Sequence, residues 1–165
     1  MGPQLLPGDV LLFSRKGFFN TLISIKTWSR FSHVEVVIGP SRVFASRNGE
    51  GVSFYPIDLK GLALALRPSM PVDIKAGIAW ARDSNVIGQP YDWAGLLNFT
   101  NARRVGRENG RMFCSEAATR FLRRCGFDPF PRCDADTIAP RDFDVCPLFT
   151  VEWMSPDEQQ RAEVI

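Results

Sequence analysis

The stretch "RMFCSEAATRFLRRCGF", residues 111–127, places a thiol at the start of an amphipathic pattern. Small or apolar residues recur in it at intervals of three and four, which is typical of one helix face. They are Cys114, Ala117, Ala118, Phe121, Leu122 and Cys125. Polar residues fill the other face, arginines gather near its end, and Gly126 follows. The pattern therefore predicts a helix that begins at Cys114 and stops at Gly126.

Cys114 lies in the first turn of this predicted helix, on its inward face. Backbone N–H groups and the helix macrodipole favour an anion at a helix N-terminus, so a thiol there tends to become a thiolate. Most free cysteines are instead small buried hydrophobic residues. From this stretch alone, a reactive thiol and a structural thiol both remain open.

The composition predicts one domain, residues 1–165, because 165 residues with 45% hydrophobic side chains can build a single core. A net charge of +2 and the absence of long runs of like charge argue against a nucleic-acid surface. The N-terminus lacks the basic and apolar segments of a signal peptide. No apolar run approaches the roughly 20 residues that cross a bilayer. We therefore expect a chain without a transmembrane segment that is cytoplasmic at synthesis.

Hydrophobic patterning predicts strands in the first half of the chain and helices after them. The predicted strands cover residues 9–13, 32–39, 42–47, 51–57 and 62–68, with a last short strand near 148–152. Helices are predicted within 18–30, 72–84 and 91–100, besides the helix from Cys114, and the tail from 155 either frays or forms a helix. The segment after Gly126 is rich in Pro and Asp, which favours loops. This order predicts an α+β domain with helices packed on one side of an antiparallel sheet.

His33 is the only histidine of the chain, and it lies on the polar side of the strand "HVEVVIG". A single half-buried histidine is more often structural than catalytic. Here a helix-start cysteine is also present, and a cysteine nucleophile needs an imidazole to take up its proton and later protonate the leaving group. Distant parts of one chain can supply such a pair.

Four motifs now carry a resemblance to a known family. "LPGDVLLF", "FSHVEVVIG", "YDWAGLL" and "MFCSEAATRFL" occur in this order. They resemble the permuted papain-like amidases of the NlpC/P60 superfamily, the group of YiiX-like and YaeF/YebB-like proteins. Ordinary members place Cys before His, whereas here His33 precedes Cys114, as in the circularly permuted members. The resemblance covers roughly residues 7–150 and implies a circularly permuted, papain-like α+β fold.

The resemblance also implies roles for individual residues. It makes Cys114 the nucleophile and His33 the general base, with the backbone N–H of Cys114 as one oxyanion donor. Tyr91 matches the aromatic position of the "YD" motif and is expected to bind substrate or to be a second oxyanion donor, with simple core packing as an equal alternative. Ser115 flanks the sulfur and is expected to contact the substrate.

The third catalytic position departs from the family pattern. The family usually places a polar residue on the strand after the base, where it orients the imidazole. The corresponding position here is Ala45, which cannot do so, and Ser46 should point to the opposite face. Glu35 lies on the face of His33, two residues later, and reaches it only if the strand bends or the side chain folds back. We predict Glu35 in this role, with a backbone carbonyl or water as alternatives.

No metal or other cofactor is expected. The cysteines, at positions 114, 125, 133 and 146, form no CxxC pair, and one histidine leaves little for zinc. The "HVE" triplet begins like a zinc deaminase signature, but the P-C-x-x-C that must follow is missing. The sequence also has no Walker A motif and no strand-linked GxGxxG.

Three functional classes follow from the resemblance. The first is a cysteine amidase or peptidase acting on a peptide or on peptidoglycan. The second is an acyl-lipid hydrolase or acyltransferase acting on acyl amides or esters. The third is a non-catalytic phage tail or virion module that keeps the fold, so a virion or cell-envelope partner is also expected. A polar cleft favours a peptide, an extended apolar groove favours a lipid, and an occluded Cys114 or a distant His33 favours the module.

Overall fold

The computed structural model of the protein describes residues 2–14, 29–94 and 110–163. These residues form six strands: β1 (Val10–Phe13), β2 (His33–Gly39), β3 (Arg42–Arg47), β4 (Gly51–Pro56), β5 (Leu62–Pro68) and β6 (Phe149–Met154). They make one sheet in the order β4-β3-β2-β1-β5-β6, with antiparallel pairing throughout. The predicted antiparallel sheet is therefore confirmed, and its last strand runs two residues beyond its predicted end.

Four α-helices lie in the described part of the chain: α1 (Ile74–Asp83), α2 (Cys114–Arg124), α3 (Pro140–Val145) and α4 (Pro156–Glu163). The helix predicted from Cys114 is confirmed as α2, and the tail forms α4. The segment after Gly126 was predicted as loops, and this is wrong for α3 and for a 3-10 turn at Ala135–Thr137. The Asp142 side chain explains α3, because it accepts a hydrogen bond from the Ala139 N–H at 2.7 Å and so caps the helix start.

The predicted helices within 18–30 and 91–100 lie mostly outside the described residues. Among the helices that the structure does describe, none is long and apolar enough to cross a membrane.

One face of the sheet forms the main core with α1 and α2. The inward residues of α2, which include Ala117, Phe121 and Leu122, pack against alternate residues of the central strands. The ring of Phe121 stacks on Phe44 of β3, with 4.4 Å between centroids. Each such buried side chain contributes about 1.5–3 kcal/mol. This packing fixes the N-terminus of α2, and therefore Cys114, against the beginning of β2.

The opposite face of the sheet is also buried, which corrects the expectation of a half-buried polar face on β2. Leu11, Val37, Val43 and Tyr55 form a second apolar cluster there. His33 is only 7% exposed, and Glu35 is fully buried among these residues. A buried carboxylate requires a charged partner, so the polar residues of β2 must form an internal network.

Candidate active site

Cys114 occupies the first position of α2 and is almost completely buried, with 2% of its surface exposed. Phe113, the residue before Cys114, has extended backbone angles and is the N-cap of α2. Its side chain has no hydrogen-bond acceptor, so it cannot cap the helix. The positive end of the helix dipole is therefore directed at the region of the thiol.

His33, the first residue of β2, lies beside the Cys114 thiol, and the interaction between the two groups shifts the pKa of each. Its backbone pairs with Phe13 at the end of β1, and the Phe13 ring packs at 6.0 Å from the imidazole. The structure thus brings together the helix-start cysteine and the only histidine of the sequence, as predicted from the two motifs.

Glu35 completes a hydrogen-bonded series on the other side of the imidazole. Its Oε1 atom lies 3.0 Å from Nε2 of His33, which leaves Nδ1 as the ring nitrogen available to the sulfur. The Glu35 side chain therefore folds back along its own strand. The predicted contact with His33 required either this fold-back or a bend of the strand. Its Oε2 atom is buried and has no hydrogen-bond partner among the described residues.

Arg47, near the end of β3, was not singled out from the sequence, but it contacts the same carboxylate. Its Nε and Nη2 atoms each lie 2.9 Å from Oε1 of Glu35. The register between β2 and β3 could have pointed to Arg47. When the pairing of Val36 with Phe44 is extended along the two strands, Arg47 falls opposite His33. Arginine is well suited to this contact because its planar guanidinium can direct two N–H donors at one carboxylate oxygen.

The network favours a charged thiolate–imidazolium pair. Burial lowers the pKa of His33, but the hydrogen bonds to Cys114 and Glu35 and their charges outweigh it and raise that pKa to about 9. Burial raises the pKa of Cys114, but His33, the backbone N–H of Val34 and the Tyr91 hydroxyl together bring it below its usual range. Burial likewise raises the pKa of Glu35, and His33 and Arg47 reverse this shift.

Tyr91 lies beside the sulfur as well as in the core. A short bridge pairs it with Met112, two residues before Cys114, and its ring contacts Trp93 at 5.0 Å. Its buried hydroxyl makes no well-directed hydrogen bond within the described residues. Burial and the negative charge of Cys114 both raise the pKa of Tyr91 well above its usual range, so it stays a neutral donor. The ring therefore packs in the core, as one of the two sequence-based alternatives has it, and the role of the hydroxyl as a substrate-binding group or oxyanion donor stays a prediction.

Two serines near the site are engaged elsewhere. The Oγ atom of Ser115 donates to the carbonyl of Ile138 at 2.6 Å and is fully buried, so its side chain gives no support to the expected contact with substrate. The Oγ atom of Ser46 donates to the carbonyl of Met112 at 2.6 Å, on the face opposite to His33. Ser46 thus anchors the segment that leads into Cys114 and does not orient the imidazole.

The other cysteines lie in different environments. All four cysteines are free thiols. Burial raises the pKa of Cys125 to about 12 and also raises the pKa of Cys146. Cys133 is exposed. In the part of the chain that the structure describes, no group of three or more His, Cys, Asp or Glu residues is placed to hold a metal ion.

No protein-family model and no curated protein sequence matches this chain. Among solved structures, the crystal structure of the metalloprotein yiiX from Escherichia coli O157:H7 is similar, with a TM-score of 0.64 and 15% sequence identity. The match covers 92% of this chain and 98% of that chain. At this identity the likeness establishes a shared fold.

Proposed function

We propose that the protein is a cysteine hydrolase that cleaves an amide bond in a peptide or peptidoglycan-type substrate. The observation that carries this proposal is the buried group of three side chains in which His33 interacts with the Cys114 thiol on one side and is hydrogen-bonded to Glu35 on the other. A thiol at a helix N-terminus that is paired with an oriented imidazole is an activated nucleophile. The proposed fold is the circularly permuted papain-like one, supported by the order of His33 before Cys114 and by the likeness to yiiX.

The reaction begins when the Cys114 thiolate attacks the carbonyl carbon and forms a C–S bond. The backbone N–H of Cys114 and the Tyr91 hydroxyl stabilise the resulting oxyanion. Protonated His33 then gives its proton to the leaving nitrogen, and the C–N bond breaks. In the second half, His33 removes a proton from water, which attacks the thioester. The acid product leaves and the thiolate is restored.

The clefts beside α2 are polar, which favours a peptide-type substrate over a lipid. Neither cleft is lined by Cys114 or His33, and the near-complete burial of Cys114 favours the alternative, a non-catalytic module. A cleft of about 420 Å³ begins at Met112 and is lined by charged residues that include Arg111, Glu116 and Arg120. A neighbouring cleft of about 330 Å³ adds Asp134 and further charged side chains. Mixed charges of this kind match polar backbone and side-chain groups, whereas an acyl chain requires an apolar groove.

A metal has no part in this proposal. The similar structure from E. coli is a metalloprotein, but the described residues of this chain provide no cluster of three ligands. Cys114 and His33 are instead paired with each other, and their charge states complement each other without an ion.

Labelling with iodoacetamide followed by mass spectrometry of the peptides tests the proposal. We expect Cys114 to react with a pH midpoint below the ~8.5 of a free thiol, and the exposed Cys133 to serve as the internal reference. His33→Ala should raise the Cys114 midpoint. Cys114→Ser should abolish hydrolysis of a panel of peptide amides and cell-wall fragments, while Cys125→Ser should not. A Cys114 midpoint equal to that of Cys133 would exclude the hydrolase and leave the non-catalytic module.

A further inference from the structure

The fold-back of Glu35 needs a cause, because neighbouring side chains on one face of a strand normally stand side by side. Residues two apart on a strand are separated by about 6.6 Å along it. An unconstrained glutamate would extend across the sheet, where Ala45 presents only a methyl group on the neighbouring strand. Instead, Oε1 of Glu35 is directed at Nε2 of His33. Something must hold the carboxylate in this conformation.

Arg47 is the group in position to do so. Its guanidinium spans the space between β2 and β3, and both Nε and Nη2 donate to the same Oε1 that faces His33. The shared oxygen therefore lies between two cationic partners. With Oε2 unpartnered among the described residues, the charge of the buried carboxylate is balanced through Oε1.

Arg47 is itself fixed by β4. Its guanidinium lies over the ring of Tyr55 at 4.3 Å, and its Nη2 atom approaches the carbonyl of Pro56 at 3.4 Å. The Tyr55 hydroxyl is tied to the carbonyl of Gly51 at 2.7 Å. A cation held over an aromatic ring is oriented as well as attracted. The strands β2, β3 and β4 thus form a rigid support behind the imidazole.

We propose that Arg47 is a positioning residue that keeps Glu35 charged and folded against His33, and through this contact sustains the thiolate of Cys114. The inference rests on the proposed function. Arg47 lies on β3, the strand where the family pattern has its third catalytic residue. Here that strand contributes a cation, which acts through the carboxylate of Glu35 on β2. Removal of Arg47 would leave Glu35 buried beside His33 alone, and a buried carboxyl group with fewer cationic partners takes up a proton more readily.

Among the described residues, two tyrosines face this network, with the carboxylates of Asp92 and Glu50 close to them. Tyr91 lies beside the sulfur, and Tyr55 lies under Arg47. Burial raises the pKa of both, with help from the charge of Cys114 at Tyr91 and of Glu50 at Tyr55. Both tyrosines therefore stay neutral in the pH range in which Cys114 and His33 are tested.

The test measures the rate of Cys114 alkylation by iodoacetamide against pH in the full-length protein. Arg47→Met should raise the midpoint by about one pH unit, which slows labelling about tenfold below the midpoint. Arg47→Lys keeps a charge but loses the planar fork, so we expect a smaller shift in the same direction, and it replaces Arg47→Met if that variant does not fold. Arg42→Met, an exposed arginine on the same strand, is the matched control and should leave the midpoint unchanged.

A double-mutant cycle separates positioning from general structural support. If Arg47 acts through Glu35, adding Arg47→Met to Glu35→Gln should shift the midpoint no further. If the midpoint shifts of Arg47→Met and Glu35→Gln add fully in the double variant, the positioning role of Arg47 is overturned. The same holds if the wild-type midpoint is low and neither Arg47 variant moves it. Both results leave the proposed function standing. A wild-type midpoint at or above ~8.5 would overturn the proposed function, and this inference with it.

Discussion

Nε2 of His33 lies 3.0 Å from Oε1 of Glu35, although the two residues are only two positions apart on one strand. The proposed base and the group proposed to orient it therefore come from a single strand, and the neighbouring strand contributes Arg47 behind them. An imidazole held in this way keeps one tautomer and one ring orientation toward the sulfur. The stability of that contact determines how well His33 can work with Cys114.

Glu35→Gln tests this contact with a nearly isosteric change. The amide keeps a hydrogen-bond acceptor but loses the charge that stabilises the imidazolium. We expect turnover to fall at least tenfold, or about 1.4 kcal/mol of transition-state stabilisation. Steady-state kinetics on any amide substrate found in the panel would measure it. The exposed Glu50→Gln is the control, and an unchanged rate for Glu35→Gln would remove Glu35 from the site.

The sequence predicted the fold well wherever periodicity was strong. The alternation in "HVEVVIG" and the three-to-four spacing from Cys114 each follow from one-sided packing, and both elements appear within a residue or two of their predicted bounds. It failed at Pro140–Val145, because this short helix depends on the cap from Asp142 and not on an apolar stripe. It also treated the His33 face as half-buried, since alternation alone does not reveal a second layer.

The site was predictable only in part, for a geometric reason. Motifs identified Cys114, His33 and Tyr91, which lie next to recognisable helix and strand starts. Arg47 has no motif, and its role depends on the register between β2 and β3 and on a side-chain conformation. Ser115 looked functional because of its neighbour in the sequence, but the helix turns its side chain about 100° away from that of Cys114, toward Ile138.

Tyr91→Phe separates an oxyanion donor from a core tyrosine. The variant keeps the ring and its packing and removes only the hydroxyl beside the sulfur. We expect kcat to fall by about tenfold or more with little change in KM, because the variant loses the proposed oxyanion donor and also the hydroxyl that helps to lower the pKa of Cys114. The thermal midpoint should stay the same or rise, since the buried hydroxyl makes no well-directed bond in the described structure. A loss of stability with full kcat would identify Tyr91 as a packing residue.

Gly77→Ala tests the contact that seats α2. A Cβ atom at this position of α1 would lie 2.5 Å from the Cys125 sulfur and 2.8 Å from Cζ of Phe121. Alanine is the better helix former by about 1 kcal/mol, but the overlap should dominate and lower the free energy of unfolding by about 1–3 kcal/mol. Chemical denaturation measures this change.

The exposed Ala79→Gly in the same helix gives the propensity effect alone and serves as the reference for Gly77→Ala. Adding Cys125→Ala to Gly77→Ala removes the sulfur from the overlap and should recover part of the loss. If Gly77→Ala stabilises the protein, α1 and α2 do not approach as closely as described.

Glu116→Gln links pH to stability at the first turn of α2. Burial raises the pKa of Glu116 to about 7, although its ion pair with Arg120 at 3.0 Å opposes the shift. A carboxyl group whose pKa is higher in the folded state binds its proton more tightly there, so its contribution to stability is complete below the unfolded value of about 4.5 and declines as the pH rises through about 7. The neutral amide avoids this loss.

We therefore expect Glu116→Gln to match the wild type near pH 4 and to be more stable by roughly 1–3 kcal/mol near pH 8. The lost pairing with the partly exposed Arg120 offsets only a few tenths of a kcal/mol of this gain. Denaturant unfolding of both proteins at several pH values provides the measurement, with Glu50→Gln as the exposed control. If the difference in stability between the two proteins does not change with pH, the Glu116 carboxyl titrates alike in the folded and unfolded chains. Its burial in the first turn of α2 then carries no electrostatic cost.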